Sequence, residues 1–279
     1  MAKTGVSSMN KICPSFGEAV ADIPDGASVA MNNWGLAGGP QNLILALKER
    51  GTRDLTVITQ NFMYTPFPEE VVVLPFVLLP QMKKLVAGLF AVSSRYADTS
   101  NLPKELLAKE EALEKEVLGH GNFTARLRAG AAGMGPFYSP VGVGTALEQG
   151  REKRTFDGRE YILLSPLRPD FAFVRADKAD RLGNLVYKGS CRGFNPDLAM
   201  AAKVTIVEVD ELVEPGELSP DRIVTPAAFV DRIVVNTRGA RGSYEHTMKK
   251  LHEMLSVPQV RRAVIGRAKK MVEEEDGDR

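Results

Sequence analysis

Cysteine is scarce. There are two, Cys13 and Cys191, far apart in a chain of 279 residues. That excludes a disulfide framework and a thiolate metal centre, and leads us to expect reduced thiols in a cytosolic chain. Histidine is also scarce: His120, His246 and His252 are too few and too scattered for a histidine-based metal site. Charge of one sign is missing, because 36 Lys and Arg nearly cancel 35 Asp and Glu. No basic field is available for nucleic acid or an anionic membrane. Long hydrophobic runs are missing too. The most apolar stretch, Val71 to Leu79, is interrupted by Pro75 and falls well short of the roughly 20 residues that span a bilayer. The opening MAKTGVSSMNK has no apolar segment of the signal-peptide kind. What is present is ordinary for a globular protein: 44% hydrophobic and 25% charged residues. The length allows one large or two ordinary domains with a real core.

The stretch that organises the rest is Ala27 to Arg50, ASVAMNNWGLAGGPQNLILALKER. A short buried strand, Ala27 to Met31, runs into a turn holding Gly35, Gly38 and Gly39. A helix opened by Pro40 follows, with Leu43, Ile44 and Leu47 at helical spacing. A strand, a glycine turn and a helix in this order let a ligand approach bare backbone and aim free amides at negative charge. The same pattern also serves as a plain connection, and the spacing is not that of a dinucleotide fingerprint. Gly51 ends the helix, and Leu55 to Thr59 is a β-branched strand. A β-α-β unit is therefore complete by residue 59, which implies parallel strands and a right-handed crossover.

Elsewhere Ser15 is placed to cap a short helix, with Glu18 completing a capping box. Val71 to Leu79 reads as a kinked or broken helix, Lys83 to Leu89 as a strand, and Lys104 to Val117 as one charged helix. Gly119 to Gly150 then brings a glycine-flanked histidine, His120, a helix from Asn122 to Ala129, and a run rich in Gly, Ala and Pro. So little side-chain bulk permits close backbone approach, either within a packed loop or to a ligand. Arg154 to Leu164 reads as a hairpin around Asp157-Gly158. Strands at Phe171 to Ala176, Leu185 to Tyr187 and Val204 to Val209 flank an alanine-rich helix, Pro196 to Lys203. Beyond Asn236 a linker rich in Gly and Arg leads to two helix-prone segments, Tyr244 to Leu255 and Val257 to Glu275, suited to packing or subunit contact.

Asp25-Gly26, two residues, an apolar triplet, a tripeptide and then G-L-A-G-G-P resemble the signature of the α subunit of family I CoA-transferases, which include the 3-oxoacid and 3-oxoadipate enzymes. Arg126 to Thr145 is similar to a second family motif. Asp180 to Asn184, Arg192 to Pro196, and Thr225-Pro226 leading to Val230 to Val234 are similar to others, so the resemblance covers roughly residues 10–235. It implies an α/β fold with an open, mostly parallel sheet and flanking helices and an antiparallel portion in the second half, to which the helix-prone segments beyond it add a C-terminal helical tail. The division it suggests is residues 1–237 as the α/β domain and 238–279 as a helical extension.

The family's nucleophile is a glutamate of the β subunit, in a Ser-Glu-Asn-Gly motif, and no Ser-Glu-Asn occurs in this chain. The resemblance therefore implies a chain that is inactive without a β subunit, in an α2β2 or similar assembly. CoA thioester and carboxylate are its substrates, and no metal or other cofactor is needed. Two departures mark the site. The family's Gly-Gly-Phe is here Asn32-Asn33-Trp34, which reshapes the acyl pocket if Trp34 is not simply a core aromatic. The family's glutamine near the thioester oxygen is here His120. An imidazole donates one hydrogen bond, as an amide does, and it also titrates near neutral pH. The substrate-binding candidates are thus Asn32, Asn33, Trp34, Gly35, Gly38 and Gly39, with His120 as oxyanion donor or base. A CoA-ester hydrolase on the same heteromeric fold and a non-catalytic scaffold are the other readings.

Overall fold

The computed structural model describes residues 10–33, 38–64, 73–91, 103–236 and 239–258. Seven strands form its central sheet: β1 (Ser28–Met31), β2 (Leu55–Met63), β3 (Met82–Ala91), β4 (Glu114–Val117), β8 (Phe171–Asp180), β10 (Val204–Val213) and β11 (Arg232–Val235). They run in the order β11-β10-β8-β1-β2-β3-β4, every neighbouring pair parallel. A short β9 (Leu185–Val186) adds antiparallel to β8. The sequence moves outward from β1 through β4, then returns to the other side of β1 and moves outward again. Strand order therefore reverses between β1 and β8.

Alternation sorts the core into two layers. Val29 and Met31 of β1, Phe171 and Phe173 of β8, and Leu43, Ile44 and Leu47 of α2 (Gln41–Arg50) pack on one face with Ala19 of α1 (Phe16–Ala19). Ala30, Ala172 and Val174 meet Phe123 and Leu127 of α4 (Gly119–Ala131) and Leu198 of α5 (Asn195–Ala201) on the other. The strands buried on both faces read as continuous apolar runs for that reason.

The expected β-α-β unit is present. Pro40 is the N-cap of α2, and Gly51, at φ 75°, closes it by donating its N–H to the Lys48 carbonyl. Ser15 Oγ accepts the Glu18 N–H at 3.1 Å, although α1 is a single turn. The expected antiparallel portion is a separate sheet built from β5 (Phe137–Ser139), β6 (Lys153–Phe156) and β7 (Arg159–Leu164), with β7 in the middle. Asp157 (φ 48°) and Gly158 (φ 76°) both adopt left-handed backbone in the hairpin turn, which is what a two-residue hairpin requires.

Three expectations change. Lys104 to Val117 is not one helix: α3 (Lys104–Glu111) stops, buried Leu113 anchors the turn, and Glu114–Val117 becomes the edge strand β4. Pairing with β3 overrides helix propensity there, helped by a 2.6 Å ion pair between Lys84 and Glu114 on neighbouring strands. The apolar stretch after residue 71 forms a 3₁₀ turn, Pro75–Gln81, since Pro75 and Pro80 cannot donate to an α-helical ladder. Residues 71 and 72 lie outside the described residues. Finally, α4 begins before His120 rather than after it, because Gly119 at φ 71° turns the chain directly from β4 into the helix.

The segment after Asn236 is docked on the body. Ser243 caps α6 (Tyr244–Ser256) by accepting the His246 N–H at 3.1 Å. Ser243, Thr247 and Leu251 are buried. The second helix-prone segment falls mostly in 259–279, outside the described residues.

Candidate active site at the carboxyl edge of the sheet

In open parallel sheets, ligands bind beyond the carboxyl ends of the strands where the strand order reverses. Here that point is the end of β1, and Asn32 and Asn33 are the first residues past it. They behave differently. Asn32 is fully buried: its Nδ2 donates to the Gly38 carbonyl at 2.7 Å, and its Oδ1 accepts from Gln60 Nε2 at 2.7 Å and the Phe194 N–H at 3.3 Å. It holds the glycine turn against β2 and the loop before α5. Asn33 Nδ2 donates to the Asn61 carbonyl at 2.9 Å, tying the end of β1 to the end of β2.

Gly38 is packed against protein backbone. A Cβ there would lie 2.9 Å from the Cys191 carbonyl oxygen, and the Gly38 carbonyl also accepts from Asn195 Nδ2 at 3.2 Å. Gly39 is buried and its carbonyl accepts the Gln41 N–H at 3.0 Å. Trp34 and Gly35 lie outside the described residues.

The amides at the start of α2 do point at negative charge, and the charge is the protein's own. Glu208 of β10 accepts the Asn42 N–H at 2.9 Å and the Leu43 N–H at 3.3 Å on Oε2. Its Oε1 accepts from Asn42 Nδ2 at 2.9 Å and from Asn236 Nδ2 at 3.3 Å. Burial pushes its carboxyl up to about 7, against the pull of Arg175 and these donors. Beside it, the buried Arg175 of β8 grips Asp210 through both carboxylate oxygens at 2.8 and 2.7 Å. Arg175 also donates to the Gly242 carbonyl, and Asn42 and Asn236 donate to the Arg241 carbonyl. Gln41 bridges Thr247 of α6 and the Val73 N–H, both at 2.9 Å. One buried network thus joins the start of α2, the middle of β8 and β10, and the docked C-terminal segment.

His120, in the first turn of α4, is half-buried, and its Nε2 lies 2.9 Å from Asn61 Oδ1. The Phe194 ring stacks near it, centroids 6.3 Å apart and planes 20° apart. On the strand side is Gly88, where a Cβ would come within 3.1 Å of His120 Cδ2 and 2.8 Å of the Gln60 carbonyl oxygen. The imidazole therefore occupies a slot with a glycine floor, an aromatic wall and an amide end-stop. Gln60, whose Nε2 holds Asn32, has its Oε1 buried with no hydrogen-bond partner among the described residues, an unpaired acceptor that costs about 1–3 kcal/mol. Among the described residues no three His, Cys, Asp or Glu are grouped to hold a metal ion, and no helix is long and apolar enough to cross a membrane.

Of the residues expected at the site, the structure brings Asn33 and His120 together through Asn61, and places Asn32 and Gly38 beneath them as struts. Sequence reasoning missed Asn61, Gln60, Arg175 and Glu208. For the last two a signal existed: opposite charges inside the apolar strands FAFVRAD and VTIVEVD, Arg175 and Glu208 lying directly opposite each other in register. For Asn61 and Gln60 no spacing in the sequence marks them.

Residues 14–236 match the family described as Coenzyme A transferase. The chain belongs to that family. It is 39% identical over 235 residues to the A subunit of the 3-oxoadipate CoA-transferase of Pseudomonas putida, covering 84% of this chain and 97% of that protein. Among solved structures it superposes on an acyl-CoA transferase of Escherichia coli (YdiF) with a TM-score of 0.66 at 23% identity, covering 81% of this chain. At that identity the likeness shows the transferase fold, and the chain spans about half (47%) of that longer protein. A variant of the decarboxylase AibA/AibB superposes with a TM-score of 0.65 at 26% identity, over 95% of this chain and 98% of that one. The family match ends at Asn236, directly before the segment that the Arg175 and Glu208 network holds in place.

Proposed function

We propose that this chain is the α-type subunit of a heteromeric CoA-transferase, which moves CoA between an acyl-CoA of a 3-oxo or other small acid and a free carboxylate. The observation that carries the reading is its likeness to one subunit of a two-subunit transferase along 97% of that protein's length. The lack of any Ser-Glu-Asn in the sequence supports a nucleophile supplied by a separate β subunit. In that reaction the β carboxylate attacks the thioester carbonyl carbon, the C–S bond breaks, and CoA thiolate leaves behind a mixed anhydride. The thiolate then attacks the glutamyl carbonyl and releases the first acid, leaving a glutamyl-CoA thioester on which the second carboxylate repeats the sequence in reverse. No prosthetic group enters these steps.

This chain's part is the carboxyl edge of the sheet: the cluster that Asn33, Asn61 and His120 form there faces the reacting carbonyl, where a side-chain donor stabilises its oxygen. The assembly is α2β2 or a similar hetero-oligomer. The test is co-expression with a β chain, followed by assay with acyl-CoA in the presence and absence of succinate or acetate. New acyl-CoA that depends on the acceptor supports transfer. Free CoA released without acceptor overturns transfer and makes the protein a hydrolase. The chain alone is expected to be inactive, and light scattering of the co-purified complex reads its stoichiometry.

A further inference from the structure

We propose that Asn61, rather than His120, presents the side-chain hydrogen-bond donor to the substrate oxygen, and that His120 is the positioning residue that fixes Asn61's amide. This rests on the transferase reading and names the donor within the same site.

Asn61 uses three of its polar groups unequally. Its backbone carbonyl accepts from Asn33 Nδ2 at 2.9 Å and from Thr59 Oγ1 at 3.3 Å, which anchors the residue at the end of β2. Its Oδ1 faces His120 Nε2 at 2.9 Å. Its Nδ2 has no hydrogen-bond partner among the described residues, and the residue is half-buried rather than enclosed. An amide oxygen only accepts, so the ring nitrogen facing it carries the proton. His120 in this arrangement is the tautomer with hydrogen on Nε2, and that hydrogen is committed to Asn61. The slot made by Gly88 and Phe194 prevents the ring from swinging elsewhere. What remains directed outward from the pair is the Asn61 NH₂, whose donor strength rises when its oxygen accepts a hydrogen bond.

The opposite amide orientation would put Nδ2 against a bare Nε2 and turn Oδ1 outward as an acceptor, which would repel a developing oxyanion. The two arrangements are separable in the co-expressed complex. With ¹⁵N-histidine labelling and His120→Gln to assign the resonance, wild type should show the His120 Nε2 as the protonated, pyrrole-like nitrogen. A bare Nε2 overturns the proposal. In turnover with acetyl-CoA or a 3-oxoacyl-CoA and succinate, Asn61→Asp keeps the acceptor for His120 but removes the donor. It should lower kcat by about 10²-fold or more, the usual loss for one oxyanion donor. Asn61→Ala should be equally slow and also lose the tautomer preference. If Asn61→Asp turns over within about threefold of wild type, the donor assignment is wrong. A wild-type complex that neither transfers nor hydrolyses any of these thioesters overturns the proposed acyl class instead, and the nitrogen spectrum then decides the Asn61–His120 arrangement by itself.

Discussion

Glu208 should make the stability of this chain fall as pH rises through the neutral range, against the common trend for carboxylates. Burial lifts its carboxyl from 4.5 to about 7 in the folded chain. Between those values the folded state holds a proton that the unfolded state has already released, so each unit of pH costs the fold about 1.4 kcal/mol. From pH 5.5 to 7 that amounts to about 2 kcal/mol, with little further change by pH 8. The loss is complete above the folded value and absent below 4.5. Glu208→Gln removes the titration and leaves the site filled by a group of the same shape. Urea unfolding at pH 5.5 and pH 8 reads the effect as the variant's stability minus that of wild type. This difference should be about 2 kcal/mol more favourable to the variant at pH 8 than at pH 5.5. At acid pH the wild-type group is the neutral acid, whose hydroxyl oxygen still accepts a hydrogen bond where an amide nitrogen accepts none, so the variant is expected to be the less stable protein there. If the two proteins keep the same difference at both pH values, Glu208 is ionised throughout the range, and its four donors together with Arg175 outweigh desolvation.

Other outcomes follow from contacts already described. Arg175→Met leaves Asp210 buried and unpaired and frees the Gly242 carbonyl. It should cost about 3–5 kcal/mol and speed hydrogen exchange at the Tyr244 amide, which lies 3.4 Å from Asp210 Oδ2. Gly130→Ala places a Cβ 1.9 Å from the Leu167 carbonyl oxygen, so α4 must shift. A loss of about 1–3 kcal/mol, the range for overpacking, should appear in denaturant melts. A chain truncated after Asn236, where the family match ends, strips one partner each from Gln41, Asn42 and Arg175. It should unfold at lower urea than the full chain, and equal midpoints would mean that residues 239–258 contribute nothing to the fold.

Much of the architecture was legible because local and global preferences agree. Val29-Ala30-Met31 followed by glycines, Pro40 and an apolar helical face can hardly form anything but a strand, turn and helix, and Asp157-Gly158 dictates its hairpin. The reading failed where a distant element decided the outcome. Glu114 to Val117 carries helix-favouring charges and becomes a strand because the edge of β3 was open to it. The glycine turn read equally as a ligand cradle or a plain connection, and what meets it is distant in sequence: Gly38 receives the backbone at Cys191 and the α2 amides receive Glu208. His120 stood out by its glycine neighbours. Asn61 did not, since a lone asparagine at a strand end is common and only the fold reveals what faces it.

The position of β1 also bears on how the chain matures. One of its edges pairs with β2, residues 55–63, while the other pairs with β8, residues 171–180. A chain emerging from the ribosome therefore builds half a sheet, β1 to β4, whose central strand still has an unsatisfied edge. During that interval α2 begins without the acceptor that Glu208 later supplies, because residue 208 has not yet been made. An open edge on an apolar strand invites pairing with the wrong neighbour, and the delay is set by about 100 residues of synthesis at ~5–20 residues per second. The first half of this protein is thus exposed for seconds before its second half can close it, and destabilising changes in β8 or β10 should show up first as poor recovery of soluble chain.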